Sequence, residues 1–205
     1  MNKFVMTALV LGTLAFASNV AATGDAAAGQ KRAAACAACH GPDGNSASGQ
    51  FPKLAGQNAD YIVRELERFK SGERKNPIMA GMAAGLSEQD MQNVAAWFSS
   101  QTVRPGEADP GLVKAGEALY RGGDKSAQIP ACAACHGPDG TGNAPMLVPA
   151  LTGQHAEYVL AQLQAFADGS RKSPMMDTIA GRLNASQMKA VASYIEGLHT
   201  TPVQP

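Results

Sequence analysis

The chain has 205 residues, with 17 Lys and Arg against 17 Asp and Glu, so its formal net charge is zero. That length admits one large domain or two small ones, and a balanced chain without a basic block argues against nucleic-acid binding. No G-x-x-x-x-G-K-[ST] or G-x-G-x-x-G offers a phosphate cradle, and aromatics at 5% are thin for two cores filled by side chains alone.

In chain order, the first segment predicts a secretory leader over residues 1–22. Lys3 supplies the positive end, an apolar run from Phe4 to Phe16 follows, and Val20-Ala21-Ala22 offers the small residues of a cleavage site. The run is short for a membrane anchor, so the expectation is export without a transmembrane anchor after cleavage. Asp25 can then cap a short Ala-rich helix that runs into Cys36. After the His40 that follows Cys39, GPDG reads as a turn. Asn58 is placed to cap a second helix with an apolar stripe of Tyr61, Ile62, Leu66 and Phe69, ended by Gly72. Met79 falls in what reads as a loop two residues after Pro77. Ser87 with Asp90 forms a capping box for a third helix, whose Met91, Val94, Ala95 and Phe98 share one face.

Residues 102–110, TVRPGEADP, read as a linker, and beyond it the first half recurs. ACAACHGPDG occurs at 35–44 and again at 131–140. Cys36, Cys39 and His40 fall on Cys132, Cys135 and His136, and after one inserted residue the two halves stay in register. Pro52, Leu54, Gly56, Gln57, Tyr61, Leu66, Phe69, Gly72, Arg74, Lys75, Pro77 and Met79 all meet identical partners. Asn184 caps the last helix, with Met188, Val191, Ala192 and Ile195 as its stripe. No alternating run reads as a strand. The chain is one all-α domain written twice, over 23–101 and 111–205.

C-x-x-C-H is the attachment signature of a c-type haem. Two thiols add across the porphyrin vinyl groups, the spacing lets both reach, and the next residue places an imidazole under the iron. Cys36, Cys39, Cys132 and Cys135 are therefore candidate covalent anchors for two haem c groups, with His40 and His136 as iron ligands. Haem also accounts for the scarce aromatics, since each porphyrin is itself a large apolar core element. A zinc site would need pairs far apart in sequence to meet and would leave the duplication unexplained. A thioredoxin-like pair lacks its βαβ setting.

An electron-carrying haem needs a sixth ligand, and Met raises its potential. The first half has no other histidine than His40. Met82 falls on Ile179, and Met91 and Met188 sit on apolar helix faces where Met is ordinary filler. Met79 falls on Met176, which makes this pair the candidate ligands, with Met175 an adjacent rival. His155 reads as a helix start and His199 as a solvated residue. Arg74 and Lys75, like Arg171 and Lys172, are placed either to pair with haem propionates or simply to face water.

With C-x-x-C-H, a downstream Pro, a Met segment and a final helix, each half resembles a class I c-type cytochrome. The tandem chain, with F/V-P-x-L-x-G-Q and R-K-x-P-x-M in both halves, resembles the dihaem cytochrome c4 family over residues 24–198. The resemblance implies two class I cytochrome c-like haem domains about a pseudo-twofold axis, with His40/Met79 and His136/Met176 as axial ligands. It also implies that the carbonyls of Pro52 and Pro149 accept the proximal imidazole N–H, although the two halves differ by one residue in that spacing. The implied function is periplasmic transfer of single electrons between redox proteins, from a membrane quinol-oxidising complex toward a terminal oxidase, with loose membrane association through partners left open. Two other readings remain. One is a dihaem subunit of a larger oxidoreductase, such as a sulfide-oxidising flavocytochrome. The other is a dihaem enzyme with one open iron.

Overall fold

The computed structural model of the chain describes residues 24–200, so the expected leader lies outside the described residues. Asp25 accepts hydrogen bonds from the backbone N–H groups of Ala27 and Ala28 and starts α1, Ala26–Arg32. A 3-10 turn, Ala33–Ala35, leads into α2, the single turn Ala37–His40. Then come α3 (Ala59–Ser71), α4 (Pro77–Ala84) and α5 (Glu88–Ser99). The second half repeats the order with α6 (Val113–Gly122), α7 (Ala133–His136), α8 (Ala156–Ala167), α9 (Pro174–Ala180) and α10 (Ala185–Gly197). Among the described residues there is no strand, only two isolated antiparallel bridges.

The expected capping box forms at Ser87/Asp90, and the expected cap Asn184 forms one too, with Gln187. Two expectations are corrected. The segments holding Met79 and Met176 are not loops but the helices α4 and α9. Asn76 and Ser173 cap them through the backbone N–H groups of Met79 and Met176, and a proline occupies the first turn of each. A polar cap followed by Pro is a helix-start signal, because the missing N–H has no partner there in any case. Asn58 also departs from expectation. It stands at the start of α3 but makes no side-chain cap.

Each half builds its own core. In the first, Ile62, Leu66 and Phe69 of α3 meet Met91, Val94 and Phe98 of α5. In the second, Val159 and Leu163 of α8 meet Leu119, Tyr120, Val191 and Ile195. The first and last helices of each half cross closely at a glycine. A Cβ on Gly29 would collide with the carbonyl of Asn93, and one on Gly116 with the carbonyl of Ala190. The linker is strapped down rather than loose. The Arg104 N–H donates to Asn45 Oδ1 at 2.7 Å, Gly106 N–H to the Glu196 carbonyl at 2.9 Å and Asp109 N–H to Ser193 Oγ at 2.8 Å.

The crossing predicts a position-specific response. Gly116→Val forces a branched side chain against backbone that cannot yield, and denaturant unfolding of the haem-loaded protein should show a loss of about 1–3 kcal/mol. Gly122→Ala, on the same helix with open space around it, should leave the midpoint unchanged or raise it slightly. Equal responses would mean that the crossing is not what fixes the pair.

Candidate haem sites

The two C-x-x-C-H segments take the same form. In each, the backbone N–H of the histidine donates to the carbonyl of the first cysteine at 2.9 Å, Cys36 for His40 and Cys132 for His136. That single turn sets both thiols and the imidazole on one short piece of rigid backbone. Gly41 and Gly137 end it with φ of 79° and 82°, a region other residues enter at a cost. None of the four cysteines is paired in a disulfide. Burial raises the Cys36 thiol above its ordinary value and pushes Cys132 up to about 11.

His40 and His136 are buried. His40 Nδ1 lies 2.9 Å from the Pro52 carbonyl oxygen, and His136 Nδ1 lies 3.0 Å from that of Pro149. A carbonyl can only accept, so Nδ1 carries the proton and Nε2 keeps its lone pair. Burial lowers both imidazole pKa values, partly offset by the carbonyl bonds. Both rings are therefore held neutral and oriented, the state a metal-binding imidazole requires. The one-residue difference in spacing is absorbed by a 3-10 turn, Ala144–Met146, before Pro149. Phe51 packs edge-on against the His40 ring, with centroids 6.2 Å apart.

The methionines separate by burial. Met91 and Met188 are core residues, 1% and 6% exposed, while Met82 and Met175 face outward. Met79 and Met176 are half-buried and pack against the edge of their own domain's core. They are the pair whose sulfurs are neither committed to the interior nor left in solvent.

The arginines need a correction to the solvated reading. Arg74 and Arg171 lie in the seam between the domains. Arg74 donates to Glu65 Oε2 at 2.7 Å and, across the seam, to Tyr158 and Gln162 at 2.9 Å. Arg171 donates to Gln162 at 2.8 Å and across the seam to Tyr61 at 2.8 Å and Glu65 at 2.9 Å. Lys75 and Lys172 remain exposed. Glu65 corresponds to Gln162, so one carboxylate serves both the buried Arg171 and the part-buried Arg74, and the Nε of Arg171 has no partner among the described residues. Surplus buried positive charge and an orphaned donor suit a group that brings its own carboxylates, as haem does. Sequence reasoning gave no role to Glu65, nor to Gln57 and Gln154. His155 starts α8 as expected, but its side chain reaches Ser46 of the first domain. His199 is exposed.

Burial alone would raise the Glu65 carboxyl, but Arg171, Arg74, Arg68 and Arg64 outweigh it and hold the group below its ordinary 4.5. A depressed carboxylate stabilises fully above its unfolded value and stops doing so as pH falls through the folded one. Glu65→Gln, which leaves two arginines without their carboxylate, should destabilise the haem-loaded protein at neutral pH by about 3–5 kcal/mol. It should also flatten the loss of stability below about pH 4. A wild-type midpoint and a wild-type acid limb would show that the cluster contributes nothing.

The cytochrome c family profile matches residues 26–102 and again 113–199. A cytochrome c4 of Azotobacter vinelandii is 47% identical, over 97% of this chain and 100% of that protein. The crystal structure of reduced recombinant cytochrome c4 from Pseudomonas stutzeri superposes with a TM-score of 0.83 at 45% identity, covering 86% of this chain and 100% of that one. A Thiomonas intermedia protein named thiosulfate dehydrogenase electron acceptor is 37% identical, over 98% of this chain and 93% of its own length. The repeated haem-binding segment, the paired all-α domains and near-full-length identity converge on one assignment: the chain belongs to the cytochrome c4 family and is an electron-transfer cytochrome with two covalently bound haem c groups.

Proposed function

We propose that Cys36/Cys39 and Cys132/Cys135 hold the two haems through thioether links, and that His40/Met79 and His136/Met176 are their axial ligands. Each haem iron supplies one-electron chemistry, ferric to ferrous and back. The chain's residues do the rest. The Pro52 and Pro149 carbonyls hold the Nδ1 proton of each imidazole, which leaves Nε2 as the neutral donor that would hold the iron. Such a bond raises the basicity of the ring. Met79 and Met176 would be the second protein donors to the two irons and would raise the potential. Arg74 and Arg171 would hold propionate carboxylates from within the seam. The observation that carries this reading is the twice-repeated neutral imidazole, buried and oriented by a carbonyl beside a C-x-x-C pair.

In this reading the protein works in the periplasm, taking electrons singly from a quinol-oxidising membrane complex and giving them to a terminal oxidase. No helix among the described residues is long and apolar enough to cross a membrane, so docking to such partners would occur through the surface. The Thiomonas intermedia relative favours a second donor, a thiosulfate-oxidising enzyme, for which this chain would be the acceptor.

Spectra test the ligand assignment. The protein made in a host that attaches haem should show two haems per chain by pyridine haemochrome, both low-spin, with the weak red band of Met–Fe(III) bonding. Met79→Ala and Met176→Ala should each remove one contribution to that band, lower one potential and open one ferrous haem to carbon monoxide. An unchanged red band in either variant would reject that methionine as a ligand. Reduction by thiosulfate plus its dehydrogenase, compared with reduction by a quinol-oxidising complex, separates the two donors.

A further inference from the structure

We propose that each haem's proximal histidine is tuned by a glutamine of the opposite domain, Gln154 for His40 and Gln57 for His136, each acting through a single peptide plane. The proposal rests on the reading of His40 and His136 as iron ligands. Gln57 and Gln154 are identical in the two halves, both are buried, and neither is absorbed by the attachment chemistry.

The geometry is reciprocal. The Pro52 carbonyl, which accepts the Nδ1 proton of His40, and the Lys53 N–H are the two ends of one peptide group. That Lys53 N–H donates across the seam to Gln154 Oε1 at 2.9 Å, and Gln154 Nε2 returns a bond to the Lys53 carbonyl at 2.9 Å. In the other direction, the peptide group of Pro149 and Ala150 accepts the Nδ1 proton of His136. Its Ala150 N–H donates to Gln57 Oε1 at 2.8 Å, and Gln57 Nε2 donates to the Ala150 carbonyl at 2.9 Å. Each glutamine also accepts the next residue's own N–H, Asn58 at 3.0 Å and His155 at 3.1 Å. That bond fixes the amide where a helix begins.

Two consequences follow from the chemistry of a peptide group. It is planar, so pinning its N–H and the carbonyl beyond it fixes where the proline carbonyl points, and hence the plane of the imidazole. It is also polarisable. A bond accepted from its N–H raises the negative charge on its carbonyl oxygen, which strengthens the bond that oxygen takes from Nδ1–H. A stronger bond there makes the imidazole a richer donor and favours ferric iron. Gln154 and Gln57 are thus positioning residues for the electron-transfer reaction, and each domain sets part of the potential of the other's haem.

The residues beside the glutamines reinforce the same segments by different means. Asn58 Nδ2 donates to the Val148 carbonyl at 2.9 Å, on the other side of Pro149. His155 Nε2 lies 2.9 Å from both the carbonyl and the Oγ of Ser46, and that hydroxyl donates to the Phe51 carbonyl, beside Pro52, at 2.7 Å. Each proline is therefore bracketed from the opposite domain on both sides.

The test uses the haem-loaded, full-length chain with Gln154→Met and Gln57→Met, which keep the volume and remove all three hydrogen bonds of the side-chain amide. The readouts are the two reduction potentials and the hyperfine-shifted proximal-histidine NMR signals. His40 is recognised by its cross-peaks to the Phe51 ring, and His136 by their absence. Gln154→Met should shift the His40 signals and raise that haem's potential while leaving His136 at its wild-type values, and Gln57→Met should do the converse. Gln154→Asn, one methylene too short to reach Lys53, should shift the His40 signals in the same direction and serves if the Met variant does not load haem. Movement of both haems together, of neither, or of the haem in the substituted residue's own domain would overturn the proposal. Failure of the ligand reading itself would look different, since the wild-type protein would then show no hyperfine-shifted histidine signals.

Discussion

The bond from a buried imidazole Nδ1–H to a proline carbonyl is the constraint around which each domain is organised. It has one acceptable polarity. The carbonyl cannot donate, so the ring must be protonated at Nδ1 and bare at Nε2, and burial keeps a second proton away. Neither half of the pair is held by its own short segment alone. The histidine is fixed by one helical turn that starts at the first cysteine and ends at a left-handed glycine. The proline lies in an extended stretch without regular structure, and such a stretch holds its position only if its peptide groups find partners elsewhere. For the peptide groups of Lys53 and Ala150 those partners come from the other domain, while the N–H groups of Leu54 and Leu151 turn back to Gly44 and Gly140 of their own.

The seam is accordingly polar, and it is where the duplication has diverged. Tyr61 and Tyr158, Arg74 and Arg171, and Gln57 and Gln154 remain paired across it. Glu65 stands opposite Gln162, and Asn58 opposite His155. The two arginines therefore converge on one carboxylate rather than on one each. Lys53, which falls on Ala150, adds a buried ammonium that donates to the Gly153 carbonyl across the seam at 2.9 Å. Two domains with the same fold and the same proposed ligands thus place their haems in different electric fields. Nothing in the iron ligands themselves would distinguish the two sites.

The parts of this arrangement that follow from local chemistry were legible in the sequence. Cysteine spacing announced the haems, the repeat announced two domains, and polar caps followed by apolar stripes announced α5 and α10. The Asn76-Pro77 and Ser173-Pro174 starts of α4 and α9 were also written there, but they read as loop because Gly81 and Gly85 follow the first and the runs are short. The seam was not legible, and the reason is physical. Glutamine and arginine in a helical sequence are ordinary surface residues, and only the folded pair of domains shows that they face a partner. One signal was available. Gln57/Gln154 and Arg74/Arg171 survived duplication beside a carboxylate present in only one half, although the exposed Lys75/Lys172 survived as well.

A polar seam also bears on why the two haems share one chain. Buried hydrogen-bonded and ionic contacts add little net stability compared with apolar packing, but they tolerate only one register. A slide of several ångströms across an apolar interface costs packing but strands no polar group. Here a slide of that size would leave the Lys53 and Ala150 N–H groups, the Gln57 and Gln154 amides and two arginines buried without partners. The relative placement of the two proposed histidine ligands, His40 and His136, is thereby fixed. The strapped linker acts in the same sense, since Arg104 is held by Asn45 of the first domain and Gly106 by Glu196 of the second. The same groups that hold the domains together also complete the hydrogen bonding of each proline segment. A separated domain would expose that segment to water and lose part of what orients its own proposed histidine ligand. Fusion in this chain is therefore a means of finishing two sites as well as of keeping them close.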